Sequence, residues 1–189
     1  MNLKQSWERA QTIDGWFSEE NARGLYEYAK LSRQAIVEIG VYRGRSSTML
    51  LGAAEEAKVP VYLIDNWKWD PARVTDEAGW AQAVENLRAI GPWNPVCIPL
   101  SPACEILRMD SSEAVAHVPG FDFIHIDGLH DQGRPDEDCR LWLPKLAAGG
   151  VACFHDFGHF PEVTEAVTVH TAGWEDLGVW ESLAIRRKP

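Results

Sequence analysis

The chain has 189 residues, 46% apolar and 24% charged, with a formal net charge of −10. That length suits one sizeable core, so a single domain over 1–189 is expected. The negative charge argues against a nucleic-acid backbone or an anionic membrane as main partner, and no run of about 18 apolar residues is present to span a bilayer.

The opening MNLKQSWERAQTIDGW lacks the apolar core of a secretory signal and reads as an amphipathic lead-in, which points to a cytoplasmic location. Residues 2–12 and 18–32 read as helices, the second opening on a cap-like Ser18 with Glu19 and Glu20 in its first turn; together 1–33 form a helical lead-in. A strand is expected over Ala35–Ile39, then a glycine-bearing turn and a helix over Arg45–Ala57, which Pro60 separates from a strand at Val61–Asp65. A polar, tryptophan-rich loop, Asn66–Thr75, precedes a helix over Asp76–Ile90. Gly91–Pro102 carries Pro92, Pro95, Pro99 and Pro102 and reads as an irregular connection. The third strand is placed at Glu105–Met109 in preference to Val96–Leu100, because Asp110-Ser111-Ser112-Glu113 then supplies a strand end followed by a helix cap. A short helix leads to a strand at Phe121–Ile126, a helix over Pro135–Ala147 and a strand at Val151–His155. A helix over Pro161–Thr171 follows, and Trp174–Val179 with Ser182–Arg187 reads as an antiparallel hairpin.

This strand–helix alternation predicts an α/β fold with a parallel sheet covered on both faces. Its five apolar runs end on or just before Glu38, Asp65, Asp110, Asp127 and Asp156. Ligands of such sheets bind outside the carboxyl ends of the strands, so five acids are expected to crowd one rim.

The first turn reads Glu38-Ile-Gly40-Val-Tyr-Arg-Gly44-Arg-Ser46-Ser47-Thr48. Gly40 allows close backbone approach by a ligand, Gly44 relieves the strand-to-helix turn, and the helix start at Arg45–Thr48 offers unpaired N–H groups to a carboxylate or phosphate. Asp65 follows Gly44 by 21 residues, where an acid accepts hydrogen bonds from ribose hydroxyls. A dinucleotide site wants GxGxxG, but the spacing here is GxxxG. A nucleoside ligand without a pyrophosphate suits this turn better, and S-adenosylmethionine (SAM) is one. The remaining alternatives are a strand-to-helix turn with no ligand, a nucleoside-binding module without chemistry, and a nicotinamide-dependent oxidoreductase, which the missing GxGxxG disfavours. Cys97, Cys104, Cys139 and Cys153 show neither a CxxC pair nor zinc-type spacing and are expected to be reduced.

The segments IVEIGVYRGRSST, VYLIDNWKWD, FDFIHIDGLH and LWLPKLAAGGVACFHDF, in this order, resemble the class I SAM-dependent methyltransferases, in particular the small-molecule O-methyltransferase branch related to macrocin-type and cephalosporin-biosynthesis enzymes. The resemblance spans Ala35 to Phe157. It implies a Rossmann-like doubly wound sheet of seven strands, mostly parallel with a C-terminal antiparallel hairpin. By match, Glu38 and Gly40 would line the methionine end of SAM, Asp65 would hold its ribose, and Asp110 with Ser111 would approach its adenine. Tyr42, Gly44, Ser46, Ser47, Asn66 and Asp127 complete the set assigned to the cofactor.

Several relatives hold a divalent metal through an acid after strand 4 and an acidic pair after strand 5, which here are Asp127, His155 and Asp156. Histidine in that pair suits zinc, iron or manganese better than magnesium, and strand alternation equally allows His155 to turn into the sheet. His130 matches a general base in some relatives, and its ordinary pKa range suits that task. Catalysis is thus assigned to His130 and Asp127, with a metal at Asp127 and Asp156 as the other route to an acidified hydroxyl. Trp67, Trp69, Phe157 and His159 are expected to form an aromatic wall for the acceptor. Asp136, Glu137 and Asp138 read as structural complements to a helix dipole. The expected partner is a small-molecule acceptor, with no nucleic acid or membrane. The short additions to the fold fit either an open site or one completed by a neighbouring copy in a homo-oligomer.

Overall fold

A computed structural model describes residues 1–68, 76–89, 104–130 and 133–189. In chain order the elements are α1 (Leu3–Ala10), α2 (Glu19–Ala29), β1 (Ile36–Ile39), α3 (Arg45–Ala57), β2 (Val61–Asp65), α4 (Asp76–Arg88), β3 (Cys104–Arg108), α5 (Ser111–Ala114), β4 (Phe121–Ile126), α6 (Arg134–Trp142), β5 (Leu146–Phe154), α7 (Pro161–His170), β6 (Glu175–Trp180) and β7 (Leu183–Arg187). The strands form one seven-stranded sheet in the order β3-β2-β1-β4-β5-β7-β6. Strands β1 to β5 pair in parallel, whereas β7 runs antiparallel to both β5 and β6. The fold is therefore the doubly wound α/β sheet with a terminal hairpin that the alternation predicts. The strand order reverses between β1 and β4, which opens a crevice there.

Strand alternation sorts the core into two layers. Ile36, Leu63, Phe123 and Cys153 face α2 and α3, while Val37, Ile39, Ile124, Ala152 and Phe154 face α6 and α7. Both faces are apolar, so the central strands read as continuous hydrophobic runs instead of alternating ones. The lead-in helices are capped as their sequence suggests: Asn2 and Gln5 form a reciprocal capping box on α1, and the Ser18 hydroxyl accepts the Asn21 N–H at the start of α2. No described helix is long and apolar enough to cross a membrane.

Several boundaries differ from expectation, and the following lie around the later strands. The helix expected to reach Ala147 stops at Trp142, and a short 3-10 turn follows over Leu143–Lys145. Pro144 lies in that turn and supplies no N–H to continue an α-helical ladder. Strand β5 then begins at Leu146, five residues early, with a register irregularity against β4 between Phe121 and Phe123. Strand β3 runs Cys104–Arg108, one residue earlier than placed, so Asp110 is free to cap α5. The alternative strand Val96–Leu100, Cys97, Ile90 and most of the Asn66–Thr75 loop lie outside the described residues. Cys104, Cys139 and Cys153 are free thiols, and burial pushes Cys104 and Cys139 up to about 12, in the unreactive direction.

A cleft along the rim and its two halves

A cleft of about 750 Å³ opens along the carboxyl ends of β1, β2, β4 and β5. One end is built by the turn after β1. Asp65 closes β2 and accepts the N–H groups of Val41 (2.9 Å) and Tyr42 (2.8 Å) on Oδ2 and of Trp67 (2.7 Å) on Oδ1. The turn needs this support because its backbone is left-handed at Gly40 (φ +89°), Tyr42 (φ +48°) and Gly44 (φ +88°). Gly44 caps α3 without a side-chain hydrogen bond, so the first-turn N–H groups of α3 remain open to an acidic or polar ligand. Burial raises the Asp65 carboxyl above its ordinary value, with the three N–H donors and the Glu38 charge acting in opposite senses on top of it.

The glycines are required by close packing as well as by turn geometry. A Cβ on Gly40 would lie 1.9 Å from the Asp127 carbonyl oxygen, and one on Gly44 would lie 3.0 Å from Leu87 Cδ2. What approaches Gly40 is thus the end of β4, a neighbour that the sequence does not announce.

Beside this end, Asp110 receives the Ser112 N–H (3.1 Å) and hydroxyl (2.8 Å) on Oδ1 and both Arg134 Nη atoms (3.2 and 3.3 Å). Asn66 Nδ2 lies 3.4 Å from Asp110 Oδ2. Burial works against the Asp110 charge, but these donors hold the carboxyl below its ordinary range. Ser111 donates its hydroxyl to Asp138 Oδ1 at 2.5 Å. Asp138 is only 3% exposed and sits beneath Gly128, where a Cβ would meet its Oδ2 at 2.9 Å. It therefore departs from the reading that grouped it with Asp136 and Glu137 as dipole complements: those two pair at the surface with His170 and Arg134, whereas Asp138 turns inward and lines the cleft.

Burial pushes the Asp138 carboxyl up from 3.8 to about 6. A carboxyl raised on folding favours the native state below its unfolded pKa, and that advantage is lost as pH rises through the folded pKa. The change is worth roughly 3 kcal/mol. Asp138→Asn, which keeps an acceptor for Ser111, is expected to be more stable than the parent at pH 7.5 and no more stable at pH 3.5, as read by urea unfolding across that range.

The other end gathers two acids and two histidines. His155 is 4% exposed, and its Nδ1 lies 3.2 Å from both Asp127 Oδ1 and Asp156 Oδ2. His130 Nε2 lies 3.1 Å from Asp156 Oδ2 and 3.8 Å from Asp127 Oδ1, aligned for a hydrogen bond with neither. Asp156 itself is left-handed (φ +60°), a conformation costing about 1–2 kcal/mol for a non-glycine residue. Burial opposes the charge on Asp127, but His155 and His130 hold it well below the usual carboxylate range. Burial likewise opposes charge on His155, yet the same two acids push it up to about 10. On its far side, Nε2 faces the Asn21 amide nitrogen at 3.1 Å, and Asn21 Oδ1 takes the Ser182 N–H at 3.3 Å. That amide donor works against a proton on Nε2, in the opposite sense to the two acids at Nδ1.

Of the residues expected at the site, Gly40, Tyr42, Ser46, Asp65, Asn66, Asp110, Ser111, Asp127, His130, His155 and Asp156 line the cleft. Glu38, Gly44 and Ser47 do not. Alternation along β1 turns Glu38 into the α3 layer, where it is fully buried, takes the Ser47 hydroxyl and lies 3.2 Å from His125 Nδ1. The same alternation directs His155 toward α2. Among the described residues, the groups whose ligand atoms all lie within 4.8 Å of one another are Asp127, His130 and Asp156, with His130 where His155 was expected.

The aromatic wall is also different from the one expected. Trp67 is buried, donates Nε1–H to the Tyr42 carbonyl at 2.7 Å and packs on Trp80 at 4.8 Å. Phe157 packs into the α6–α7 layer, Trp69 lies outside the described residues, and His159 does line the cleft. The exposed wall consists of Trp16 and Phe160, 67% and 43% exposed, with Phe17 behind. Trp16 and Phe17, like Asn21, Glu181 and Ser182, come from the two ends of the chain. Two aromatics standing directly before a helix cap, in DGWFSE, were the only local sign of them.

The sequence profile of the family described as "Methyltransferase domain" matches residues 37–157. Among curated proteins, the chain is 26% identical over 137 residues to "Uncharacterized protein y4gI" of Sinorhizobium fredii; the match covers 70% of this chain and only 14% of that relative's length. Among solved structures, the fold is similar to a putative caffeoyl-CoA O-methyltransferase from Staphylococcus aureus (TM-score 0.71, 15% identity, covering 100% of this chain and 93% of that one). It is also similar to the SAH-bound Podospora anserina methyltransferase PaMTH1 (TM-score 0.69, 14% identity, 99% and 87%). A third is an O-methyltransferase from Bacillus cereus in complex with SAH (TM-score 0.64, 15% identity, 98% and 89%).

Proposed function

The chain belongs to the methyltransferase domain family, and from that premise we propose that it transfers a methyl group from SAM to a hydroxyl of a small molecule. The observation that carries this reading is the division of one continuous cleft: a glycine turn braced by Asp65 at one end, and His130 between two carboxylates at the other. In the first half, Asp65 keeps acceptor capacity beyond its three N–H bonds and takes the ribose hydroxyls. Asp110, Ser111 and Asn66 border the adenine, and the start of α3 faces the methionine end. SAH-bound neighbours of the same fold support that cofactor.

Methyl transfer is an in-line displacement: the acceptor oxygen attacks the methyl carbon as the carbon–sulfur bond breaks and SAH departs. Most of the rate then comes from holding the oxygen against the methyl, and the hydroxyl proton must go to a base. His130 lines the cleft with its buried Nε2 beside both acids, so its imidazole is the group placed to take that proton. Asp127 and Asp156 stabilise the imidazolium that results. Asp127, His130 and Asp156 also offer an O, N, O donor set that fits a divalent ion, which would supply Lewis acidity to the same hydroxyl. Transfer that survives EDTA assigns the proton to His130 alone; loss restored by manganese assigns the ion.

Calorimetric titration with SAM, SAH and NAD tests the reading. Binding of SAM and SAH without NAD is expected, and tight NAD binding without SAM would overturn it. Asp65→Ala removes the ribose acceptor and the brace of three N–H groups at once. It is expected to weaken SAH binding by at least about tenfold, since each charged hydrogen bond lost is worth about 1.5–3 kcal/mol.

A further inference from the structure

Building on the reading above, we propose that the acceptor carries a positive charge: Trp16, Phe160 and Glu181 form a pocket at the outer edge of the acceptor half that holds the ammonium group of a small hydroxylated amine. Five large apolar side chains are exposed among the described residues, and two of them, Trp16 and Phe160, stand on this cleft although 144 positions separate them in the chain. Each is backed by another ring, Trp16 by Tyr42 at 5.5 Å and Phe160 by His130 at 4.3 Å. Rings held in place and open to a cleft suit a cation over their faces.

Glu181 supplies the charge. It sits in the β6–β7 turn with φ +56°, a left-handed conformation that a non-glycine residue adopts at some cost. The Ser18 hydroxyl donates to its Oε2, while Oε1 has no partner among the described residues. Asp127 and Asp156 line the same cleft. The two arginines of the cleft are engaged: Arg45 donates to the Gly15 carbonyl at 2.8 Å, beside Trp16, and Arg134 pairs with Asp110 and Glu137. At this edge of the cleft a cation meets both the Glu181 carboxylate and aromatic faces. The net charge of −10 draws cations toward the molecule as a whole.

The test uses the full chain saturated with SAH and three probes of one shape: tyramine, para-ethylphenol and para-hydroxyphenylacetate. Calorimetry at low salt is expected to rank tyramine about fivefold above the neutral probe and about tenfold or more above the anion, with the gap narrowing as salt is raised. Glu181→Gln should bring tyramine to within about twofold of para-ethylphenol without changing SAH affinity, and Trp16→Ala should weaken tyramine more than para-ethylphenol. Equal affinity for the three, preference for the anion, no binding of any probe, or a tyramine preference unmoved by Glu181→Gln would each overturn the proposal. A chain that fails to bind SAH contradicts the SAM-dependent reading instead, so the two failures are distinguishable.

Discussion

Replacing His130 with glutamine is expected to lower kcat by about 10²–10⁴-fold, the range over which a positioned general base contributes, while SAH affinity stays within about twofold. The split follows from where His130 sits. It belongs to the acceptor half, 3.1 Å from Asp156 and stacked on Phe160, and no residue that braces the glycine turn touches it. Glutamine fills similar space but takes no proton, so loss of rate with intact cofactor binding separates a catalytic group from a packing one. If single-turnover transfer to a hydroxyl is unchanged in this variant, His130 is not the base.

Gly40→Ala is expected to be the most damaging single methyl that can be added at the cleft. The left-handed backbone at φ +89° costs about 1–2 kcal/mol with any β-carbon. The new atom would also sit 1.9 Å from the Asp127 carbonyl oxygen, so the ends of β1 and β4 must part. Overpacking of this kind adds about 1–3 kcal/mol. For a chain of this size the sum lowers Tm by roughly 5–15 °C, and SAH binding should fall with it because the displaced strand end carries the turn. Gly173→Ala provides the control: its φ is +82°, yet nothing lies within 4 Å of the added carbon. It should show the backbone cost alone, about 1–2 kcal/mol, with cofactor affinity intact.

The cofactor half was far more legible in the sequence than the acceptor half, and the reason is distance along the chain. The turn after β1, the start of α3 and Asp65 at the end of β2 fall within 38–65 and carry local signals, a glycine spacing and an acid in register. Where reading failed inside that stretch, the period of the strand decided it: Glu38 ends an apolar run, but alternation buries it against Ser47 and His125. Trp67 was misread for a related reason. Its left-handed backbone (φ +52°) turns the indole inward onto Trp80 instead of out to the rim. In the acceptor half, Asp127, His130 and Asp156 were legible as strand-end residues. Their neighbours Trp16, Asn21, Phe160, Glu181 and Ser182 were not, because tertiary packing alone brings them there. The burial of Asp138 beneath Gly128 was likewise invisible beside the exposed Asp136 and half-buried Glu137 in the same helical turn.

The Asn21–His155 and Asn21–Ser182 hydrogen bonds close loops of 134 and 161 positions. Contacts of such span carry the largest loop-closure entropy and form late in folding, while the turn braced by Asp65 spans only 23 or 24 positions. The two halves of the cleft should therefore mature at different times. A refolding chain is expected to acquire affinity for SAH before it acquires transfer activity, and hydrogen exchange in the native state should open the Asn21–Ser182 junction at lower free energy than the amides of Val41 and Tyr42.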